Sequence, residues 1–202
     1  MFKKLSLVFV LVLGFAITSN AQMWEFDKVH SNVGFSVKHL VISNVKGKFD
    51  NYSGHIMFDG KNFDNASIDV TIQMASINTD NEKRDGHLGS PDFFDVEKHP
   101  TMTFKSTKVT NPKEGHFQIM GDLTIKDVTL PVTLESEYSG TITGPYGNTR
   151  AGFSATTTID RQDYNVAWEN KLQDGSLVVG NDVTINLDIE LIKSEKMLSK
   201  DE

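Results

Sequence analysis

From Val33 to Leu191 the chain alternates apolar and polar residues at a period of two, with one long interruption. Val33, Phe35 and Val37 alternate with Gly34, Ser36 and Lys38, and Ile68, Val70 and Ile72 with Ser67, Asp69 and Thr71. Ile56 and Phe58 share a parity with Gly54, Met102 with Phe104, and Phe117, Ile119, Leu123 and Ile125 with Gly121. Val128, Leu130, Val132 and Leu134 follow, then Phe153, Ala155 and Ile159, then Val183, Ile185, Leu187, Ile189 and Leu191. A period of two puts one set of side chains on one face of a strand. The other set is polar, so the sheet is antiparallel and covered on one face. This gives about eight strands joined by short connections. Asn111–Gly115 and Lys126-Asp127 are hairpin-length gaps, and Gly144–Asn148 is a loop of turn formers. Such strands close as an up-and-down barrel, which removes the edges, or stack as two sheets. The pattern leans to the barrel and leaves both open.

The interruption is Ser76–Pro100. Loops this long carry structure of their own or a function. Thr79-Asp80-Asn81-Glu82 reads as a capping box and predicts a short helix from Asp80 to Leu88, ended by Gly89. Ser90-Pro91 offers an N-cap and a first-turn proline for a second short helix through Phe93 and Phe94. The insert, about residues 79–96, is expected to lie across an end or side of the barrel. Leu88, Phe93 and Phe94 would be its packing face.

Met1–Ala21 reads as a secretory signal. Lys3 and Lys4 precede the apolar run Leu5–Ile17, and Ser19-Asn20-Ala21 supplies small residues before a cut. The run is short for a bilayer core, which needs about 20 residues. The expectation is a chain starting at Gln22, periplasmic or secreted, with no stable membrane span. Residues 22–192 form one domain, and 193–202 a polar tail. The net charge of −7 and only three arginines (Arg84, Arg150 and Arg161) argue against a nucleic-acid partner. With no cysteine, disulfides, thiol catalysis and cysteine-ligated metals are excluded.

Several runs resemble the YceI-like family. Trp24–Asp27, His30-Ser31, Val33, Phe35, Val37 and His39-Leu40, then Gly47, Phe49 and Gly54, are similar to its start. The insert carries the most specific likeness: Ser76-Ile77, Thr79, Arg84-Asp85, His87-Leu88 and Asp92-Phe93-Phe94-Asp95. Pro100, Thr103-Phe104, Ser106 and Gly121–Ile125 follow in order. The resemblance runs from about Trp24 to Leu191. It implies an all-β, lipocalin-like antiparallel barrel that holds a polyisoprenoid, quinone or other long-chain amphiphile in its lumen. It implies an exported bacterial binding protein rather than an enzyme, with no cofactor. Two departures stand where the family often has glycine, Asp127 after the Thr-Ile-Lys run and Asn165 after the Arg-x-Asp-aromatic run. Aspartate and asparagine tolerate the left-handed backbone best among the other residues, so both turns are expected to survive.

On that resemblance and the strand parity, the lumen candidates are Phe35, Val37, Ile56, Phe58, Ile68, Val70, Phe104, Phe117, Ile119, Leu134 and Phe153. Leu88 and Phe93 would close one end. Arg84 and His87 are head-group candidates, although Arg84 would equally pair with Asp85 or Asp92 to tie the insert down. With three scattered arginines and no anion loop, a neutral head is expected over a diphosphate. A homodimer stays open. Two other readings stand beside this one. The first is an enzyme or metal-dependent factor built on His30, His39 and His87, although no His-x-His, His-x-x-x-His or His-Glu-x-x-His run occurs. The second is a structural domain with a solid core, which the same alternation would also give. A serine hydrolase lacks its Gly-x-Ser-x-Gly elbow. The acids Asp80, Glu82 and Asp85 miss the calcium-loop spacing.

Overall fold

The computed structural model describes residues 22–60, Phe63 and residues 66–194. The signal-like Met1–Ala21 and the tail after Ser194 lie outside the described residues. The strands are β1 (Gln22–Phe26), β2 (Asn32–His39), β3 (Ser43–Phe49), β4 (Tyr52–Phe58), β5 (Ser67–Gln73) and β6 (Ile77–Asn78). After the helix α1 (Glu82–Gly89) come β7 (Thr101–Val109), β8 (His116–Ile125), β9 (Val128–Thr143), β10 (Thr149–Asp160) and β11 (Val179–Lys193).

These segments make a closed antiparallel barrel of eight staves. β1 and β2 are two halves of one stave, because both pair with β11: Phe26 lies opposite Leu191 and Asn32 opposite Asp188. β3 and β4 form the next, pairing with β2 and β1 respectively. β5 pairs with β4 and β6 with β3, which makes the third. β7, β8, β9, β10 and β11 then follow in strict up-and-down order. β11 closes the ring, so the two-sheet alternative falls away.

The interruptions have side-chain causes. The Asp27 carboxylate accepts from the Val29 N–H and from His30 Nδ1 (3.0 and 2.9 Å), a local turn that breaks the first stave. Ser31 bridges the gap, its hydroxyl donating to Glu190 O (3.1 Å) and accepting from Glu190 N (3.0 Å). Beside it, Tyr52 donates to Ser31 O (3.3 Å). The second and third staves break against each other, where Asp50 N and Asn51 N donate to Ser76 O and Ser76 Oγ (both 3.0 Å). Beyond this row, β6 pairs with β3 only and β7 with β5 and β8, so the wall splits between β6 and β7. The insert fills that split.

The helix starts two residues later than the capping box predicts. Asn81 is the N-cap and accepts from Arg84 N (3.0 Å). Thr79 is used elsewhere, its N–H and hydroxyl both donating to Asp85 Oδ1. Ser90 ends α1 by donating from Oγ to His87 O (2.7 Å), and Pro91 follows. No second helix forms. Residues 90–94 are turns, because Phe94 N donates back to Leu88 O (3.0 Å) and Asp95 N to Ser90 O (2.9 Å). Of the two expected left-handed turn residues, Asn165 is one, at φ +58°, but in the other turn the conformation falls on Lys126 (φ +54°) rather than on Asp127. The Lys126 ammonium donates to Phe93 O and Asn165 O (both 3.0 Å), stitching the insert to the β10–β11 loop. At the other terminus β11 runs through Lys193, and Ser194 N donates to Met23 O (2.9 Å), so the first two residues read as tail belong to the barrel.

A candidate lipid-binding lumen

Inward parity is followed as the sequence pattern predicts. Phe117, Ile119, Leu123 and Ile125 are buried on β8, as are Leu134 on β9, Met102 and Phe104 on β7, and Ile56 and Phe58 on β4. All of these except Ile125, which lines a separate chamber under the insert, face one another across a cavity of about 170 Å³. Phe35, Ile56, Phe58, Ile68, Val70, Phe104, Phe117, Ile119, Leu134 and Phe153 all line it. The walls are apolar except for Ser136 and Ser154, and Ser136 turns its hydroxyl to Leu134 O (3.2 Å). This volume is near that of a cavity that stays dry and takes a small apolar guest, about 150 Å³. The core is therefore not solid.

One end of the lumen is plugged by rings. Phe63, on the β4–β5 loop, packs on Phe58, Phe117 and Tyr138 with centroids 5.3, 5.1 and 5.4 Å apart. Trp24 stacks on Phe58 at 4.6 Å and donates from its indole N–H to Phe58 O (3.2 Å). At the other end, under the insert, lies a second apolar chamber of about 100 Å³. Phe35, Phe49, Met102 and Ile185 line both spaces. The two spaces are therefore neighbours along the barrel axis. Leu88, Phe93 and Phe94 line the second chamber, as expected of the insert's packing face.

Val37 is a correction. It shares the parity of Phe35 but lines only the spaces under the insert, because β2 has by then passed the main lumen. Leu88 and Phe93 likewise stand at the insert end and not on the main lumen wall. A third space of about 200 Å³ forms the mouth there, where Lys38, His39, Arg84, His87 and Trp168 join the apolar lining.

Arg84 and His87 do stand at this mouth. Arg84 donates from Nε to Thr79 Oγ1 and from Nη2 to Thr79 O (both 2.7 Å), and not to Asp85 or Asp92, the partners named in its structural reading. One edge of its guanidinium is tied down and the rest faces the mouth. His87 Nε2 meets Asp92 Oδ2 at 3.0 Å, and its ring stands edge-on to Phe93 and Trp168 (5.0 and 5.6 Å). His39 shares the mouth with His87, but His30 is beside Asp27, nine residues back along the stave and roughly 30 Å away at about 3.3 Å per residue. The three histidines do not converge. Among the described residues, the group with three ligand atoms in reach of one ion is Asp27, His30 and Glu190. The Arg150 guanidinium already bridges its two carboxylates, 2.5 Å from Asp27 Oδ2. The His30 hydrogen bond, aided by Arg150, outweighs burial and holds the Asp27 carboxyl far below its ordinary value.

Arg161 is also committed. It is buried and donates to Gly180 O (2.9 Å), Val166 O and Val179 O, and to Asn181 Oδ1 (3.1 Å). Burial pushes its pKa below the usual value. It clamps the β10–β11 loop over the barrel end.

Sequence reasoning misses Phe63 and Trp168, which lie on loops where no periodicity reports orientation. It also leaves out Phe49, Met102, Ile185, Leu187 and Ile189, whose strand parity already marks them as inward.

A closed eight-stave meander with an apolar lumen and a helical insert over one end defines an antiparallel barrel of lipocalin-like form. The chain belongs to the YceI-like domain family, whose match spans residues 24–191. It is 36% identical over 160 residues to a UPF0312 protein of Vibrio parahaemolyticus, covering 77% of this chain and 85% of that one. Among solved structures, the Campylobacter jejuni YCEI protein is 38% identical with a TM-score of 0.69, over 84% of this chain and 96% of that one. A domain from Saccharophagus degradans described as polyisoprenoid-binding shares the fold at 16% identity, with a TM-score of 0.61, over 86% and 99% of the two chains.

Proposed function

We propose that the protein is an exported, non-covalent carrier that holds a polyisoprenoid, a quinone tail or another long apolar chain in its lumen, for storage or transfer through an aqueous compartment. The observation that carries this reading is the continuous apolar wall around a cavity of about 170 Å³. The polyisoprenoid-binding description of a neighbour with the same fold supports it. Each CH₂ removed from water contributes about 0.8 kcal/mol, so a dozen give roughly 10 kcal/mol. Association costs of about 4–15 kcal/mol offset much of that, so a long tail is needed and a strong head contact is not. The lumen closes within one chain, so binding needs no second copy. The N-terminal signal-like segment supports export to the periplasm or beyond.

The head group would rest at the insert-end mouth near Arg84 and His87. Arg150 and Arg161 are occupied by their own partners, which leaves too few aimed donors to desolvate a diphosphate. A neutral or weakly polar head fits better. The test is a competition series with prenyl alcohols of increasing length, and one tail carrying different heads. Affinity should rise at least tenfold per added isoprene unit until the lumen is full, with the alcohol at least matching the diphosphate. Length-independent binding would refute the tail reading. A diphosphate preferred tenfold, about 1.4 kcal/mol, would refute the head reading.

A further inference from the structure

The turn between β2 and β3 exposes Val41 and Ile42, at 60% and 85% of their surface. Leu40 and Val41 are both in the left-handed region, at φ +52° and +65°. A β-branched residue rarely adopts that conformation, and here it holds two large apolar side chains out in solvent. The tip is fixed on both flanks, since Leu40 N donates to Val178 O (2.9 Å) and Ser43 Oγ to His39 O (3.2 Å). Its charge is equally distinct. From Lys38 to Phe49 the hairpin has three lysines and no acid, in a chain of net charge −7. Lys48 is paired with Asp50, whereas Lys38 and Lys46 are exposed and form no ion pair among the described residues. On the neighbouring loop, Glu169 is paired with Lys171, and Asp174 accepts from Ser176 N (2.9 Å). Lys38, His39 and Val45 of the same hairpin line the mouth described above, so the tip is part of its rim.

We propose that the β2–β3 tip docks on an anionic lipid bilayer, with Val41 and Ile42 entering the interface and Lys38 and Lys46 facing the head groups, so that the mouth of the lumen is seated against the membrane. An apolar tip with basic flanks has the chemistry that such surfaces retain. Its role beside the mouth rests on the carrier reading, although docking itself does not. At the opposite end of the barrel the exposed Ile142 lies across from Arg150, with the exposed Tyr146 on the loop that follows it, and that guanidinium is engaged by Asp27 and Glu190.

The test uses the chain from Gln22, which contains every strand of the barrel, and exploits its lack of cysteine. Ile42→Cys and Tyr146→Cys, each carrying an environment-sensitive fluorophore, are mixed with phosphatidylglycerol/phosphatidylethanolamine vesicles or with phosphatidylcholine vesicles. Emission at position 42 should shift to the blue with the anionic vesicles and at position 146 should not. In flotation at low salt, Val41→Asp/Ile42→Asp should lower vesicle partitioning at least tenfold, with an unchanged thermal midpoint. No shift at position 42, a shift at 146 alone, equal flotation of the double variant and the parent, or engagement of an acidic protein in place of vesicles would each overturn the proposal. Native mass spectra of the same samples separate the two claims. No bound lipid in any sample, with or without vesicles, while flotation persists counts against the carrier reading alone.

Discussion

Replacing Phe104 by aspartate tests the inward wall at its centre. Phe104 is 9% exposed, lies opposite Val70 and Leu123 in the ladder, and faces the lumen. Loss of its burial costs about 1.5–3 kcal/mol. The new carboxyl would have no partner in an apolar cavity, and such a group is raised by about 2–3 pKa units. At 1.36 kcal/mol per unit that adds about 3–4 kcal/mol at neutral pH. The total, about 4.5–7 kcal/mol, approaches the whole stability of an ordinary domain, about 5–15 kcal/mol. The sign with pH follows from the raised folded pKa. Below the unfolded value of about 3.9 both states hold the proton and the charge penalty vanishes; it grows as pH rises towards the folded pKa. Urea unfolding at pH 4.5 and 7.5 should therefore give a difference from the parent of about 3 kcal/mol and about 6 kcal/mol respectively. Phe104→Asn should show a difference that does not change with pH. A Phe104→Asp variant as stable as the parent at pH 7.5, or with a pH-independent deficit, would mean that residue 104 reaches water and the assigned wall is wrong.

Arg161→Met should lower stability by about 2–4 kcal/mol, because buried carbonyls of the β10–β11 loop lose their donor; a loss under 1 kcal/mol in urea unfolding contradicts the clamp. The depressed Asp27 pKa stabilises the fold above the unfolded value of about 3.9, and that stability is lost as pH falls towards the folded value. Asp27→Asn should accordingly cost about 1.5–3 kcal/mol at pH 7 and flatten the acid limb between pH 5 and 3; an unchanged acid limb in thermal melts would show that other carboxyls set it. A methyl group added at Gly86 in α1 would meet only open space, so Gly86→Ala should raise stability by about 0.5–1 kcal/mol. At Gly121 the same methyl would lie 2.5 Å from Phe104 Cζ and 2.6 Å from Lys105 O, so Gly121→Ala should cost about 1–3 kcal/mol; equal thermal midpoints for the two variants would refute this contrast.

Strand parity carries most of the fold because a half-buried strand writes its orientation into every second residue. Phe104, Ile119 and Phe153 are readable as inward for that reason, and the barrel follows from the short connections between strands. The insert is legible as a break in the period, and Leu88, Phe93 and Phe94 as its apolar face. Its internal wiring is not. Asn81 and Thr79 both offer caps, and Asp85 and Arg84 decide between them by taking the Thr79 side chain and backbone. The structural reading of Arg84 names a carboxylate partner, Asp85 or Asp92, but the guanidinium takes the Thr79 hydroxyl and carbonyl, next to the left-handed Asp80 (φ +58°). Val37 shows the limit of parity, which gives the face of a strand but not the height at which the lumen ends. Phe63 and Trp168 mark another limit, since rings on loops reach the interior by tertiary packing alone.

The central claim is that the apolar interior holds a long-chain lipid. Native mass spectrometry of the protein purified without detergent from its own cells measures this most directly. The predicted result is a species heavier than the polypeptide by one organic-extractable lipid, released on denaturation and displaced by an added prenyl alcohol. A polypeptide of bare mass, which also takes up no prenyl alcohol or other long-chain lipid on incubation, would contradict it.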